Sequence, residues 1–373
     1  MHSCAQALAR SGTEVLVATT NSNGRGRIAI DTANLVQIEP NYAVRYYEDT
    51  ITSRYSWPFT RNIGRHIAAA DLIHLQDVWS LHAAQTLMLS RWHKKPVLIS
   101  PRGIFSQWAL GSKRKWAKRA WLATLIQPLV RDPRRVRWHA TSDSERDDVV
   151  ANMANASVSV VPNAIDCSVF ERASTLSRGD YLRRFFPGCS VAASESIVLA
   201  AMGRLHPVKG FDLLVEALGR IRDHHPGAVL LIAGGDDGDS PRLEDLIKAK
   251  GLAAHARLIG EVRGDEKVAF LKGADAFLFP SHSENFGLAC LEALACGLPT
   301  IASRHTPWAV IETDGAGRWV DNEPGTIASA TLDLLTRPRI ELQKGARRCA
   351  GRFDLSEVAR AFNSVYEELI RDN

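Results

Sequence analysis

Short apolar runs alternate with longer amphipathic stretches along most of the chain. Residues 14–19 (EVLVAT), 71–75 (DLIHL), 96–99 (PVLI) and 136–140 (VRWHA) read as buried strands. Each is too short for a helix and is rich in residues that pack well on a pleated surface. Residues 80–92 and 143–153, between and after them, carry helical periodicity. The pattern restarts at 197–202 (IVLAAM), 228–233 (AVLLIA), 256–259 (ARLI), 274–279 (ADAFLF) and 298–302 (LPTIA), each followed by a helix-like segment. Strand–helix alternation of this kind predicts parallel sheets covered by helices on both faces, the doubly wound α/β class.

The alternation breaks between residues 167 and 196, a stretch rich in Arg, Ser and Gly that contains Pro187-Gly188. The expected organisation is a Rossmann-like domain over 1–166, a linker with a short helix over 167–196, and a second Rossmann-like domain over 197–350. A last helix over 351–373, apolar at Leu355, Val358, Phe362, Val365, Tyr366 and Leu369, is expected to pack back on the first domain. In open α/β sheets ligands sit beyond the carboxyl ends of the strands, so the expected site is a cleft between the two halves. Residues 2–10 read as a helix before the first strand, whereas a doubly wound sheet begins with a strand and a glycine-rich turn. The expectation is that this central strand and its turn lie upstream of Met1. The alternative is that residues 34–39 or 43–47 fill the gap.

Composition narrows the class without choosing the chemistry. At 373 residues, 45% hydrophobic and 23% charged, the chain has enough apolar material for two cores and is no disordered tail. No apolar run approaches the ~18 residues of a membrane span. Residues 1–12 lack the apolar stretch of a secretory signal. The six cysteines lack metal-ligand spacing, which points to reduced thiols and a cytoplasmic setting. A net charge of +5 is too mild to demand a nucleic-acid partner.

Two stretches carry candidate chemistry. Residues 280–303 (PSHSENFGLACLEALACGLPTIAS) follow a buried strand and are expected to open a helix near residues 285–287. A helix start offers unpaired N–H groups to a phosphate, and Gly287 lets a ligand approach the backbone. Glu284 and Glu292 are eight residues apart, about 12 Å on a helix at 1.5 Å per residue, roughly the reach from a sugar across a diphosphate to a ribose. A capped amphipathic helix with two solvated glutamates would give the same spacing. The second stretch, 202–211 (MGRLHPVKGF), places Arg204 and Lys209 around a turn at the end of the second half's first strand, where both cations can converge on one anion. Two surface cations near a turn is the plainer interpretation.

Together these stretches resemble the donor-site signatures of family 4 retaining glycosyltransferases, which have the GT-B fold. The resemblance extends over nearly the whole chain. Val161-Pro162-Asn163-Ala164-Ile165-Asp166 is similar to the family's domain-junction motif, residues 231–236 to its strand-to-glycine turn, and 259–262 to the segment against the nucleotide base. The resemblance implies that Gly203, Arg204, Lys209 and Gly235 surround a donor diphosphate, with Arg204 and Lys209 stabilising the departing nucleotide. It implies that Glu284 binds donor-sugar hydroxyls, that amides near Phe286, Gly287 and Leu288 bind phosphates, and that Glu292 binds ribose. Val262 and Lys267 match positions contacting base or ribose. Where relatives often carry a functional His after the strand at 97–99, this chain has Ser100-Pro101-Arg102-Gly103, so Arg102 joins the catalytic candidates. His74 and His82 are alternatives, with His74 read as a satisfied histidine in a buried strand. Asp236-Asp237-Gly238-Asp239 could suggest a metal, but with two cations serving the diphosphate, no metal is expected.

The implied activity is retaining, metal-independent transfer of a hexose from a nucleotide-diphosphate sugar to a glycan or lipid-linked glycan, in cell-surface polysaccharide synthesis. No cofactor beyond the donor is implied. A related epimerase or phosphorylase, or a basic nucleic-acid-binding module, are the alternatives. Positive charge concentrates over residues 102–138, with ten Lys or Arg against Asp132 alone, interleaved with Trp108, Trp116, Trp121 and Trp138. Those ingredients suit an anionic membrane surface, so a peripheral place on the membrane's inner face is expected. Single-stranded nucleic acid would accept the same ingredients, and so would a solvated helix face over a Trp-containing core.

Overall fold

The computed structural model describes residues 2–24, 26–51, 55–106, 115–172 and 175–373. Trp108, Lys113 and Arg114 of the basic segment lie outside the described residues. The chain divides into two compact units, Met1–Ala164 with Leu355–Asn373, and Ile165–Asp354.

The second unit is a six-stranded, all-parallel sheet. Its strands run in the order Ala256–Gly260, Ala228–Ala233, Ile197–Met202, Ala276–Phe279, Thr300–Ser303, Gly317–Val320. The central strands are buried on both faces, which is why they read as continuous apolar runs rather than alternating ones. Odd and even positions feed separate cores. Leu199, Leu230 and Leu278 pack with helix Phe211–His224, whereas Val198, Val229 and Phe277 pack with helix Leu288–Ala295.

The stretch expected as a linker belongs to this second core. Helices Cys167–Arg172 and Arg178–Phe185 bury Phe170, Tyr181, Leu182 and Phe185 against Phe270 and Leu271. The Tyr181 hydroxyl donates to the Phe270 carbonyl at 3.0 Å, and Arg178 forms an ion pair with Asp275 at 2.7 Å. The polar composition of 167–196 hides a few aromatic side chains, and burying those outweighs the rest.

The first unit holds two separate main sheets rather than one. Ile73–Gln76, Val97–Ser100, Val136–Ala140 and Val158–Val160 form a parallel four-stranded sheet. Val15–Thr20 pairs in parallel with Tyr42–Tyr47, to which Leu35–Glu39 adds antiparallel. Helix Trp57–Ala69 ties the two sheets by packing Phe59, Ile63 and Ile67 against both Ala18 and Ile73. On the opposite face of the four-stranded sheet, helix Leu355–Arg371 buries Val358, Phe362 and Leu369 with Leu98, Val161 and Leu8.

That last helix is also fixed by a buried polar chain. The hydroxyl of Tyr366 lies 2.7 Å from His74 Nδ1, and His74 Nε2 lies 2.7 Å from Ser100 Oγ. Ser100 Oγ lies 2.6 Å from His139 Nδ1, whose Nε2 is 2.7 Å from the Val161 carbonyl oxygen. Burial pushes His74 far below the ordinary histidine range and His139 down to about 4. Both rings are therefore neutral in the folded chain at pH 7.

Unfolding releases them to about 6.5, so below that pH the unfolded state binds more protons and stability falls. For His139 the loss runs from about pH 6.5 down to about 4 and levels off below, reaching about 3 kcal/mol. Urea unfolding at pH 7.5 and 4.5, followed by circular dichroism, should show a lower midpoint at the acid pH. His139→Asn should reduce that difference. An unchanged midpoint across the window would show that these histidines are not held neutral.

Candidate active site

Strands Ile197–Met202 and Ala276–Phe279 are neighbours in the second sheet, but the chain leaves them in opposite directions. The first connects to Ala228–Ala233 on one side, the second to Thr300–Ser303 on the other. Such a switch point leaves an open crevice at the carboxyl ends of the strands. The loops bordering it are pressed backbone to backbone. A Cβ on Gly210, whose φ is +65°, would lie 2.3 Å from the Pro280 carbonyl oxygen. One on Gly234 would lie 1.7 Å from the Gly203 carbonyl oxygen. Hydrogen bonds complete the clamp: Leu205 N–H donates to the Gly235 carbonyl at 2.9 Å, and His282 N–H to that of Val208 at 2.8 Å.

This clamp brings the charged side chains together in pairs. Lys209 and Glu284 form an ion pair, with 15% and 13% of their side chains exposed, and the Ser281 hydroxyl donates to the same carboxylate oxygen at 3.1 Å. Lys267 Nζ lies 2.5 Å from Glu292 Oε1, and Arg204 pairs with Asp237 in a more exposed position. The helix itself begins at Leu288, with Gly287 in the left-handed region as its cap. Glu284 is thus on the loop before the helix, and the eight-residue spacing to Glu292 is not a 12 Å helical rise. Glycine ends the loop because a side chain at 287 would collide with the Phe279 ring, 2.6 Å away. Phe286 is buried, and Trp308 Nε1 donates to its carbonyl at 2.6 Å, which aims the turn. The first turn of Leu288–Ala295 contains no acidic residue, so its leading amides face the crevice loop without a competing carboxylate in that turn.

Two family profiles match the chain, glycosyl transferases group 1 over residues 187–350 and glycosyltransferase family 4 over residues 1–169. The chain belongs to this family of glycosyltransferases. Its sequence is 35% identical over 213 residues to a D-inositol 3-phosphate glycosyltransferase of Saccharomonospora viridis, covering 52% of this chain and 49% of that one. A namesake from Geodermatophilus obscurus is 32% identical over 248 residues, covering 61% and 54%. The chain thus spans about half the length of the curated relatives it matches. Among solved structures, sucrose-phosphate synthase from Thermosynechococcus elongatus superposes with a TM-score of 0.71 at 17% identity, covering 99% of this chain and 92% of that one. Anabaena HepE, solved in complex with UDP and glucose, gives 0.67 at 18% identity, covering 87% and 86%. The fold is GT-B.

In this chain, the second unit gathers Gly203, Arg204, Lys209, Gly235, Glu284, Phe286 and Gly287 on loops at the carboxyl ends of its strands, with Leu288 as the first residue of a helix. Glu292 lies on the helix that follows, with Lys267 from helix Gly264–Lys272 as its partner. Val262 is buried at the start of that region. The acidic run is used locally. Asp236 accepts from the amides of Gly238 and Ser240, Asp237 pairs with Arg204, and Asp239 pairs with Arg242.

Arg102 belongs to the first unit, just past strand Val97–Ser100, with a left-handed φ of +56°. Its guanidinium donates to Gln76 Oε1 at 3.0 Å and to Asn163 Oδ1 at 2.8 Å. Glu145 braces the turn by accepting from Gly103 N at 2.6 Å and from Thr141 N at 2.7 Å. Sequence reasoning missed Gln76, Glu145 and Trp308. Each is an ordinary residue in its own segment and acquires its role only from a partner far along the chain.

Removing one member of the Lys209–Glu284 pair leaves the other as a mostly buried charge. Lys209→Met and Glu284→Gln should each cost about 1–3 kcal/mol in urea unfolding, and the double variant less than the sum. Additive losses would show that the two side chains are not coupled.

Proposed function

We propose that this protein transfers a hexose from a nucleotide-diphosphate sugar to a glycan or lipid-linked glycan acceptor, with retention at the anomeric carbon. The observation that carries this is the convergence of Lys209, Glu284 and an acid-free helix start on one switch-point crevice. A diphosphate seated there meets the amides of Gly287 and Leu288 and the cations Arg204 and Lys209. An ammonium has three donors, so Lys209 can keep Glu284 and still reach an anion. As the glycosidic bond breaks, negative charge grows on the leaving diphosphate, and fixed cations and amides stabilise it there more than in the ground state. Glu284 holds sugar hydroxyls and Glu292 the ribose, with Val262 and Lys267 toward the base. Glu284 is committed to Lys209, which disfavours its use as a covalent nucleophile. The acceptor's proton passes instead to an oxygen of the departing phosphate on the same face. Arg102, on the first unit, is assigned to the acceptor or to donor phosphates.

The HepE complex with UDP and glucose supports a nucleotide-sugar donor. Engagement of Asp236 by amides of its own loop, of Asp237 by Arg204 and of Asp239 by Arg242 supports a metal-independent reaction. The reading extends to cell-surface polysaccharide synthesis at the inner face of a membrane. No helix among the described residues is long and apolar enough to cross one.

A panel of nucleotide sugars screened by thermal shift should yield one that raises Tm by mass action. Glu284→Ala should abolish transfer from that donor with the fold retained, and Lys209→Ala should lower kcat more than it raises KM. Normal turnover by Glu284→Ala would remove the donor assignment. The product's anomeric configuration, read by NMR, should match the donor's, and chelation with EDTA should leave the rate unchanged. An inverted product or a rate lost to EDTA would overturn the retaining or the metal-independent part respectively.

A further inference from the structure

Three helices of the first unit lie side by side. Trp57–Ala69 packs against Leu81–Trp92, and the segment from Lys115 to Leu129 runs beside the latter. The Trp121 indole donates to the Val78 carbonyl at 2.9 Å, Lys118 Nζ sits 5.9 Å from the Trp79 ring centroid, and Arg91 donates to the Pro128 carbonyl at 3.4 Å. Leu87, Leu122 and Ile126 pack with Val97, Ile99 and Trp138 of the four-stranded sheet in one core cluster. This layer therefore covers the face of that sheet opposite helix Leu355–Arg371, which packs on Leu98.

The outer surface of the layer has an unusual composition. None of the three segments contains an Asp or Glu. Arg61 and Arg65 are exposed one turn apart behind Trp57, Arg91 and Lys94 are exposed at the far end of the second helix, and Arg119 is exposed on the third segment. None of these five cations forms an ion pair among the described residues. Large apolar side chains stand out beside them. Trp92 is 82% exposed and Trp116 80%, and Trp57, Leu81 and Met88 are each more than half exposed. Leu81, Met88 and Trp92 fall at i, i+7 and i+11, on one stripe of their helix.

A soluble surface normally intersperses both signs of charge and keeps Trp covered. Unpaired cations beside exposed Trp, Leu and Met on adjacent helices match the headgroup region of an anionic bilayer. There the cations meet lipid phosphates and the indoles enter the acyl boundary. We infer that the outer face of helices Trp57–Ala69, Leu81–Trp92 and Lys115–Trp121 docks flat on an anionic lipid surface. Charge complementarity selects the occupant. The docking face is thus wider than the basic segment 102–138 and includes two helices outside it. The inference rests on the membrane part of the proposed function and is independent of the donor assignment.

Sedimentation with large unilamellar vesicles tests it, using phosphatidylglycerol–phosphatidylethanolamine vesicles against pure phosphatidylcholine. The full chain should bind the anionic vesicles at least tenfold better, and high salt should release most of it. Arg61→Gln with Arg65→Gln should weaken partitioning about 25-fold, since each cation near the surface contributes about fivefold. Trp92→Ser should weaken the fraction that resists salt. Tm and the thermal shift given by the donor should be unchanged in all variants, which separates failure of this inference from failure of the donor assignment. Equal binding to both vesicle types would overturn the inference. So would wild-type partitioning by the Arg61/Arg65 variant, which would confine any docking to segment 102–138. Tighter binding to a single-stranded oligonucleotide than to anionic vesicles would assign the face to nucleic acid instead.

Discussion

The site depends on how closely backbone can approach backbone where the second sheet changes direction. Gly203 and Gly234 touch at the end of two adjacent strands, and Gly210 rests on the Pro280 carbonyl across the switch point. No side chain fits in either contact. With a Cβ at 210 or 234 the loops would separate, and Lys209 and Glu284 ride on those loops. Their pairing is thus a consequence of glycine placement before it is a matter of charge.

The charges, once brought there, are held by one another. Lys209 with Glu284, Lys267 with Glu292 and Arg204 with Asp237 each keep long side chains near one position before any ligand arrives. Pre-ordering matters because immobilising flexible cations during binding or reaction would cost side-chain entropy at that step. The same pairing, with the Ser281 hydroxyl beside it, leaves Glu284 engaged rather than free.

Much of the second unit was legible in the sequence because its strands are buried on both faces and announce themselves as apolar runs. The two loops of the switch point were legible through Gly210, Gly287 and the charged residues around them. The helix start was misplaced because the loop residues 284–287 carry no signal that separates a loop from a first helical turn; what makes Gly287 the cap is its left-handed backbone beside the Phe279 ring, where a side chain would collide. The linker expectation failed for a related reason. Composition over 167–196 is polar on average, yet the outcome was set by Phe170, Tyr181 and Phe185 finding Phe270 and Leu271. The buried chain from Tyr366 through His74, Ser100 and His139 spans nearly three hundred residues of sequence, and no local pattern could have joined its members.

The two units use cations in opposite ways, and that contrast bears on what each does. In the second unit, Arg204, Lys209 and Lys267 each meet a carboxylate, and the Lys209 and Lys267 pairs are largely buried. On the outer helices of the first unit, Arg61, Arg65 and Arg119 have no acidic neighbour within their own segments and sit among exposed Trp and Leu. Fixed, paired charges suit recognition of one small anion at defined distances. Exposed charges without acidic partners suit a broad surface whose anions can move to meet them, because the gain there comes from the summed field rather than from any single contact. Under the proposed function the first kind of site would meet a nucleotide sugar and the second a lipid surface, and the two kinds lie in different units of one chain.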